Sequence, residues 1–105
     1  MDFRGLDLNL LVAFNALMEE QNVTRAAGKA SVSQPAMSAA LARLRSHFAD
    51  PLFIRSASGL LPTARAKEIH VHVGRALDEI THLLAPEEAF SPQNRSMAFT
   101  LGMSE

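Results

Sequence analysis

The sequence predicts a mainly α-helical fold, and three observations predict it. Apolar residues recur at helical spacing in three segments, with a shorter helical segment between the first two. Asp, Asn, Ser or Thr stands at each point where a helix would begin. Strand-like patterning is confined to a short stretch around residues 52–61 and to a last one at 97–103. Three short helices, a hairpin and then a long helix make a winged helix-turn-helix pattern with a helical extension.

The first helix is capped by Asp7 and places Leu10, Leu11, Phe14, Leu17 and Met18 on one side before ending near Glu20 and Gln21. Asn22 or Thr24 opens a second helix running to about Lys29, in which Ala26 and Ala27 are small enough to let another helix cross closely, while Gly28 costs about 1 kcal/mol relative to alanine. "ASVS" is a tight turn. Ser33 then caps a third helix with Pro35 in its first turn, where the missing N–H costs nothing, and the helix reaches about His47. Leu52, Phe53 and Ile54 are strand-like, Ser56 to Gly59 turn-like, and Leu60 and Leu61 resume the strand before Pro62. Thr63 caps a fourth helix that runs to about Leu84, with Pro86 just beyond. Its residues Ala66, Ile69, Val73, Ala76, Ile80 and Leu83 follow an alternating three-four spacing, and Leu77 borders them. This is an a/d seam of nearly three heptads, too long to be covered along its length by a domain of about 60 residues. Packing on its own domain is one reading; a partner helix from a second copy is the favoured one.

Residues 1–63 are thus expected to form the helix-turn-helix domain with its wing, and 64–85 the linker and dimerisation helix. "SPQNRS" lies in a polar hinge over 86–96, and 97–105 reads as the first strand of a further domain cut off from this chain. The 105 residues carry no cysteine, no apolar run near the roughly 18 residues of a membrane span, and no recognisable secretory leader. A cytoplasmic protein is expected.

The net charge of −1 conceals a segregation. Residues 1–20 sum to −3, residues 21–67 to +6 and residues 68–105 to −4. A basic stretch between acidic flanks points to a polyanion. The third helix suits double-stranded DNA. Met37, Leu41, Leu44 and Phe48 lie on one face for packing, whereas Pro35, Ser38, Ala39, Ala42 and Ser46 make the opposite face slim. A major groove about 12 Å wide admits a helix about 10–12 Å across only when its inserted face is small. Gln34 and Ser38 can then reach base edges, Gln34 matching adenine N6 and N7. Pro35, Ala39 and Ala42 can touch thymine methyls, and Arg43 and Arg45 can hold the phosphate backbone.

"TRAAGKASVSQPAMSAALARLR" followed by "LFIRSASGLLPT" resembles the N-terminal DNA-binding domain of LysR-type transcriptional regulators. Ala26-Ala27, Ser33-Gln34-Pro35-Ala36-x-Ser38, Leu44, Leu52-Phe53-x-Arg55 and Pro62-Thr63 agree in order and spacing, over about residues 5–84. "DLNLL" and "PTARA" resemble the branch of nodulation and aromatic-degradation regulators. The resemblance implies a regulator of roughly 300 residues that reads an interrupted dyad of the T-N11-A kind as a dimer or tetramer, under a small-molecule co-inducer bound in the absent C-terminal domain. It implies base reading by Gln34, Pro35, Ser38, Ala39 and Arg43, and backbone contacts from Thr24, Ser33 and Arg55, to which the basic residues Arg25 and Arg45 are added as expected backbone contacts. Dimerisation falls to Ala66, Ile69, Val73, Ala76, Leu77, Ile80 and Leu83. Three positions depart from the family pattern. Ala30 replaces a leucine, which implies looser packing of the second helix; Arg45 replaces a glutamate; and Ala66 replaces a glycine, as the nodulation branch does.

Other chemistry is not expected. His70 and His72 diverge on a helix and cannot share a metal, and the histidines read as solvated. No phosphate-binding loop, dinucleotide fingerprint, nucleophile elbow or HExxH occurs, so neither an enzyme nor a cofactor is expected. The rival classes are a sequence-indifferent architectural DNA binder, which would not need Gln34 and Ser38 at the helix tip, and a pure interaction module built on the 64–84 seam.

Overall fold

The computed structural model describes residues 5–85. In chain order the elements are α1 (Leu8–Glu20), α2 (Val23–Lys29), α3 (Gln34–Phe48), β1 (Phe53–Ser56), β2 (Gly59–Pro62) and α4 (Ala64–Leu84). The hinge and final strand expected beyond residue 85 lie outside the described residues.

Each helix starts on a side-chain cap. Asp7 Oδ1 accepts from the Leu10 N–H at 2.9 Å, Asn22 Oδ1 from Arg25 at 2.8 Å, Ser33 Oγ from Ala36 at 3.1 Å and Thr63 Oγ1 from Ala66 at 3.0 Å. Asn22, not Thr24, therefore opens α2. Each cap contributes about 1 kcal/mol by satisfying an N–H that the helix cannot. The turn between α2 and α3 takes its left-handed residue at Ser31, with φ 59°, while Gly28 lies inside α2 with open space around it. The helix-to-helix corner is closed by the Val32 N–H donating to the Ala27 carbonyl at 2.9 Å.

The helices α1, α2 and α3 pack on one another, and α4 returns across α1. Phe14, Leu17, Met37, Leu44, Leu52 and Phe53 are the largest fully buried side chains, and the Phe14 and Phe53 rings meet at 5.9 Å. The predicted inner face of α3 is confirmed at Met37, Leu41 and Leu44, with Phe48 half-buried at its end. Ala26 and Ala27 are buried at the helix crossings, and Ala30, in place of the family leucine, is half-buried against the same core. The strands β1 and β2 form an antiparallel hairpin in the register Phe53↔Pro62 to Ser56↔Gly59. Leu52 lies before the strand, in a left-handed conformation of φ 63°, a costly state for a leucine. Two contacts hold it there. Asp50 Oδ2 accepts from the Leu52 N–H at 2.8 Å, and the Leu52 carbonyl accepts from the Thr63 N–H at 2.9 Å. The same carboxylate oxygen accepts from Thr63 Oγ1 at 2.9 Å, so Asp50 ties the end of α3 to the cap of α4. The fold is a winged helix-turn-helix followed by a long helix.

The helix α4 has 21 residues, about 31 Å at 1.5 Å per residue. Its seam divides. Ala66, Ile69 and Val73 are buried in the chain's own core, which corrects the expectation that the whole stripe faces a partner: α1 crosses here and covers them. Beyond that crossing, Leu77 and Ile80 are half-buried, Ala76 is exposed, and Leu83 is 79% exposed. The histidines divide as well. His72 is exposed, but His70 is not the solvated residue expected, since its Nε2 lies 3.1 Å from Asn15 Oδ1 and its ring meets the edge of Phe14. Among the described residues no cluster of metal-ligating side chains occurs, and no helix is long and apolar enough to cross a membrane.

Candidate nucleic-acid interface

The first turn of α3 packs inward through Met37 and presents its other side chains at the surface. Gln34, Pro35, Ser38, Ala39 and Ala42 are all exposed, and Ser33 is occupied as the cap. A cleft of about 210 Å³ opens beside this turn. Thr24 and Asn22 form one wall, Gln34 and Ser38 the floor, and Arg55 and Ser56 of the wing the other wall. Residues as distant in sequence as Asn22 and Ser56 thus converge, bringing together amide, hydroxyl and guanidinium groups that accept and donate hydrogen bonds. Of the expected contact residues, the structure brings together Gln34 and Ser38, named from the helix pattern, and Thr24 and Arg55, named from the family resemblance. Sequence reasoning missed Asn22 and Ser56, whose placement follows from how α2 and the hairpin turn pack.

The basic stretch is less free in space than along the chain. Lys29 Nζ lies 3.0 Å from Glu19 and 3.6 Å from Glu20. The hydrogen bond and charge of Glu19, reinforced by Glu20, hold the Lys29 ammonium above the usual lysine pKa. Arg25 pairs with Glu20 at 3.6 Å and donates to the Glu20 carbonyl at 3.3 Å, and Arg65 pairs with Glu68 at 3.1 Å. The acidic end of α1 therefore lies alongside α2. The summed charge of residues 21–67 overstates the field there, because the acids that compensate it fall outside that window of sequence. Arg43 faces the start of α1 rather than the cleft, 3.8 Å from Asp7 Oδ2 and 3.4 Å from the Gly5 carbonyl. Arg45, expected on the phosphate backbone, donates through Nε to the Pro51 carbonyl at 2.8 Å and through a terminal nitrogen to the Phe53 carbonyl at 3.0 Å. It is a strap between α3 and the wing. Arg55 makes no ion pair or side-chain hydrogen bond with any described residue, and it lines the cleft.

The model of the bacterial regulatory helix-turn-helix proteins of the lysR family matches residues 8–67. This chain belongs to that family. The match spans the described elements from α1 to the first turn of α4. Nodulation protein D 2 of Bradyrhizobium elkanii is 48% identical over all 105 residues, and Nodulation protein D 3 of Rhizobium leguminosarum bv. phaseoli is 44% identical over the same length. The chain spans about a third of the length of these relatives, 32% of the first and 35% of the second. Among solved structures it resembles a probable transcriptional regulator from Pseudomonas aeruginosa, with 36% identity, a TM-score of 0.74, and coverage of 97% of this chain and 31% of that one. It also resembles the DNA-binding domain of CbnR solved in complex with DNA, with 28% identity, a TM-score of 0.64, and coverage of 78% of this chain and 88% of that one. The lysR family is one of regulators and not of enzymes, in keeping with a sequence that carries no catalytic motif.

Proposed function

We propose that this chain is the DNA-reading part of a LysR-type transcriptional regulator, and that it reads a T-N11-A-like dyad as a dimer through paired α3 helices. The cleft carries the reading: it gathers Thr24, Gln34, Ser38 and Arg55 beside the slim, exposed face of α3. In the major groove Gln34 and Ser38 meet base edges, and Pro35 and Ala39 lie against thymine methyls. Thr24, the Ser33 turn and Arg55 hold phosphates, with Arg25 at the periphery. Arg43 joins them by releasing Asp7, an exchange between exposed partners that costs little. The end of α4 beyond α1, with exposed Ala76 and Leu83 and half-buried Leu77 and Ile80, is where a second copy packs, and tetramers follow in the whole protein. A small-molecule co-inducer, bound in a domain beyond this chain, controls the assembly at bacterial nucleoid DNA in the cytoplasm. The likeness to a domain solved with DNA supports the groove reading.

Selection of bound duplexes from a random pool tests this. The expected result is a two-fold symmetric consensus with half-sites about one helical turn apart. Recovery of duplexes without any shared sequence would make the chain an architectural binder, and failure to bind DNA at low salt would make it an interaction module.

A further inference from the structure

A backbone hydrogen bond joins the wing to the end of α1. The Leu60 N–H donates to the Gln21 carbonyl at 2.9 Å. Gln21 is the left-handed C-cap of α1, with φ 52°, and its carbonyl is one of those a helix end leaves without an internal partner. Next to this bond Gly59 has φ 129°, and a Cβ there would fall 2.5 Å from the Gln21 oxygen. No side chain fits, and the conformation is one that L-residues rarely adopt. Ser56 Oγ donates to the Gly59 carbonyl at 3.0 Å and closes the turn from its other end.

Gln21 directly precedes Asn22, the cap of α2 and part of the cleft wall that includes Thr24. Leu60 is the cross-strand partner of Arg55, and directly opposed residues share one face of a hairpin. The bond therefore joins the two walls of the cleft at the level of its unpaired cation. Resting on the DNA-binding reading above, we propose that the Leu60–Gln21 backbone latch, for which Gly59 leaves the room, sets the width of the cleft and thereby holds Arg55 within reach of a DNA phosphate while α3 occupies the groove. Gly59 is thus a positioning residue for binding. A side chain at residue 59 pushes the wing off α1 and withdraws Arg55, while α3 stays in place through its packing on α1 and α2.

The test measures affinity for a mixed-sequence DNA duplex across a salt series, for the wild-type chain, Gly59→Ala, Arg55→Ala and the double variant. Each phosphate contact contributes about 0.9 to the slope of log affinity against log salt. Arg55→Ala should lower the slope by about that amount. Gly59→Ala should lower it by at least half as much, and the double variant should match Arg55→Ala alone, the coupling expected of residues that act through one contact. A domain that is only destabilised loses folded fraction and keeps its slope. A wild-type slope in Gly59→Ala, or additive losses in the double variant, would overturn the proposal. Should Gly59→Ala fail to fold, amide exchange in the wild-type chain decides: the Leu60 N–H should be protected like the amides of α1, and exchange as fast as that of Ser58 at the turn would overturn the latch. If the wild-type chain binds no duplex at low salt, the DNA reading fails, and the latch loses its function even where Leu60 is protected.

Discussion

The two ends of α3 are built for opposite purposes. Its C-terminal end is fastened: Leu44 is fully buried, Phe48 packs at the core edge, and Arg45 binds two carbonyls of the segment leading into the wing. Its N-terminal end is anchored on the inner side by the fully buried Met37 and bare on the outer side. Gln34, Pro35, Ser38 and Ala39 are exposed, and among the described residues the one polar side chain engaged there is the Ser33 cap. The inner face carries the stability of the helix along its length, and the outer face of the N-terminal turns is left to be shaped by what it contacts. Substitutions on that outer face should therefore spare folding and act on DNA binding, whereas those on the inner face or at the fastened end act on folding.

The largest effect on the fold is expected from Leu44→Ala. A fully buried leucine replaced by alanine leaves a cavity and costs about 3–4 kcal/mol, read as a fall in the midpoint of denaturant unfolding. Arg45→Ala comes second. It removes a charge-assisted pair of bonds at 2.8 and 3.0 Å and leaves the Phe53 carbonyl short of a partner, for a loss of about 2 kcal/mol. The salt slope of DNA binding should barely change, because the guanidinium is turned to the protein. A drop of the slope by about one phosphate contact would instead put Arg45 on the DNA backbone.

How far this division was legible in sequence depends on what sets each feature. The caps Asp7, Ser33 and Thr63 and the buried face of α3 are local, because a side-chain oxygen three residues ahead of an N–H, or an apolar residue every third or fourth position, is visible in the chain itself. The strap of Arg45, the Asp50 bonds to Leu52 and Thr63, and the Gln21 bond to Leu60 are tertiary. Each joins a side chain or carbonyl to a backbone group whose position depends on the turn between, and no residue pattern records it. The seam of α4 failed differently. Its periodicity is real, but a stripe in sequence does not say which neighbour covers it, and α1 covers the first half. The charge sum overstated the field for a related reason, since Glu19 and Glu20 fall just outside the basic window in sequence and lie beside Lys29 in space.

Gln34→Ala should leave stability within about 0.5 kcal/mol of wild type, because the side chain is exposed and bonded to no described residue. Its effect should appear in selection from random duplexes, as relaxed preference at one base pair worth about 1 kcal/mol or more. Equal weakening on all sequences would remove Gln34 from base reading.

The smallest effect on the fold is expected from Ala39→Leu, and it separates the two ends most cleanly. Leucine propagates a helix almost as well as alanine, and residue 39 is exposed, so unfolding should not change measurably. On DNA the outcome should differ sharply. If the alanines are there to let the backbone of α3 approach the bases, a branched side chain on that face holds the helix away from the groove floor, and Gln34 and Ser38 lose their reach together. The specific complex should weaken toward the affinity for mixed sequence, while the salt slope from Arg55 and the other phosphate contacts persists. Retention of full sequence preference by Ala39→Leu would mean that the slim face of α3 is not the face that enters the groove.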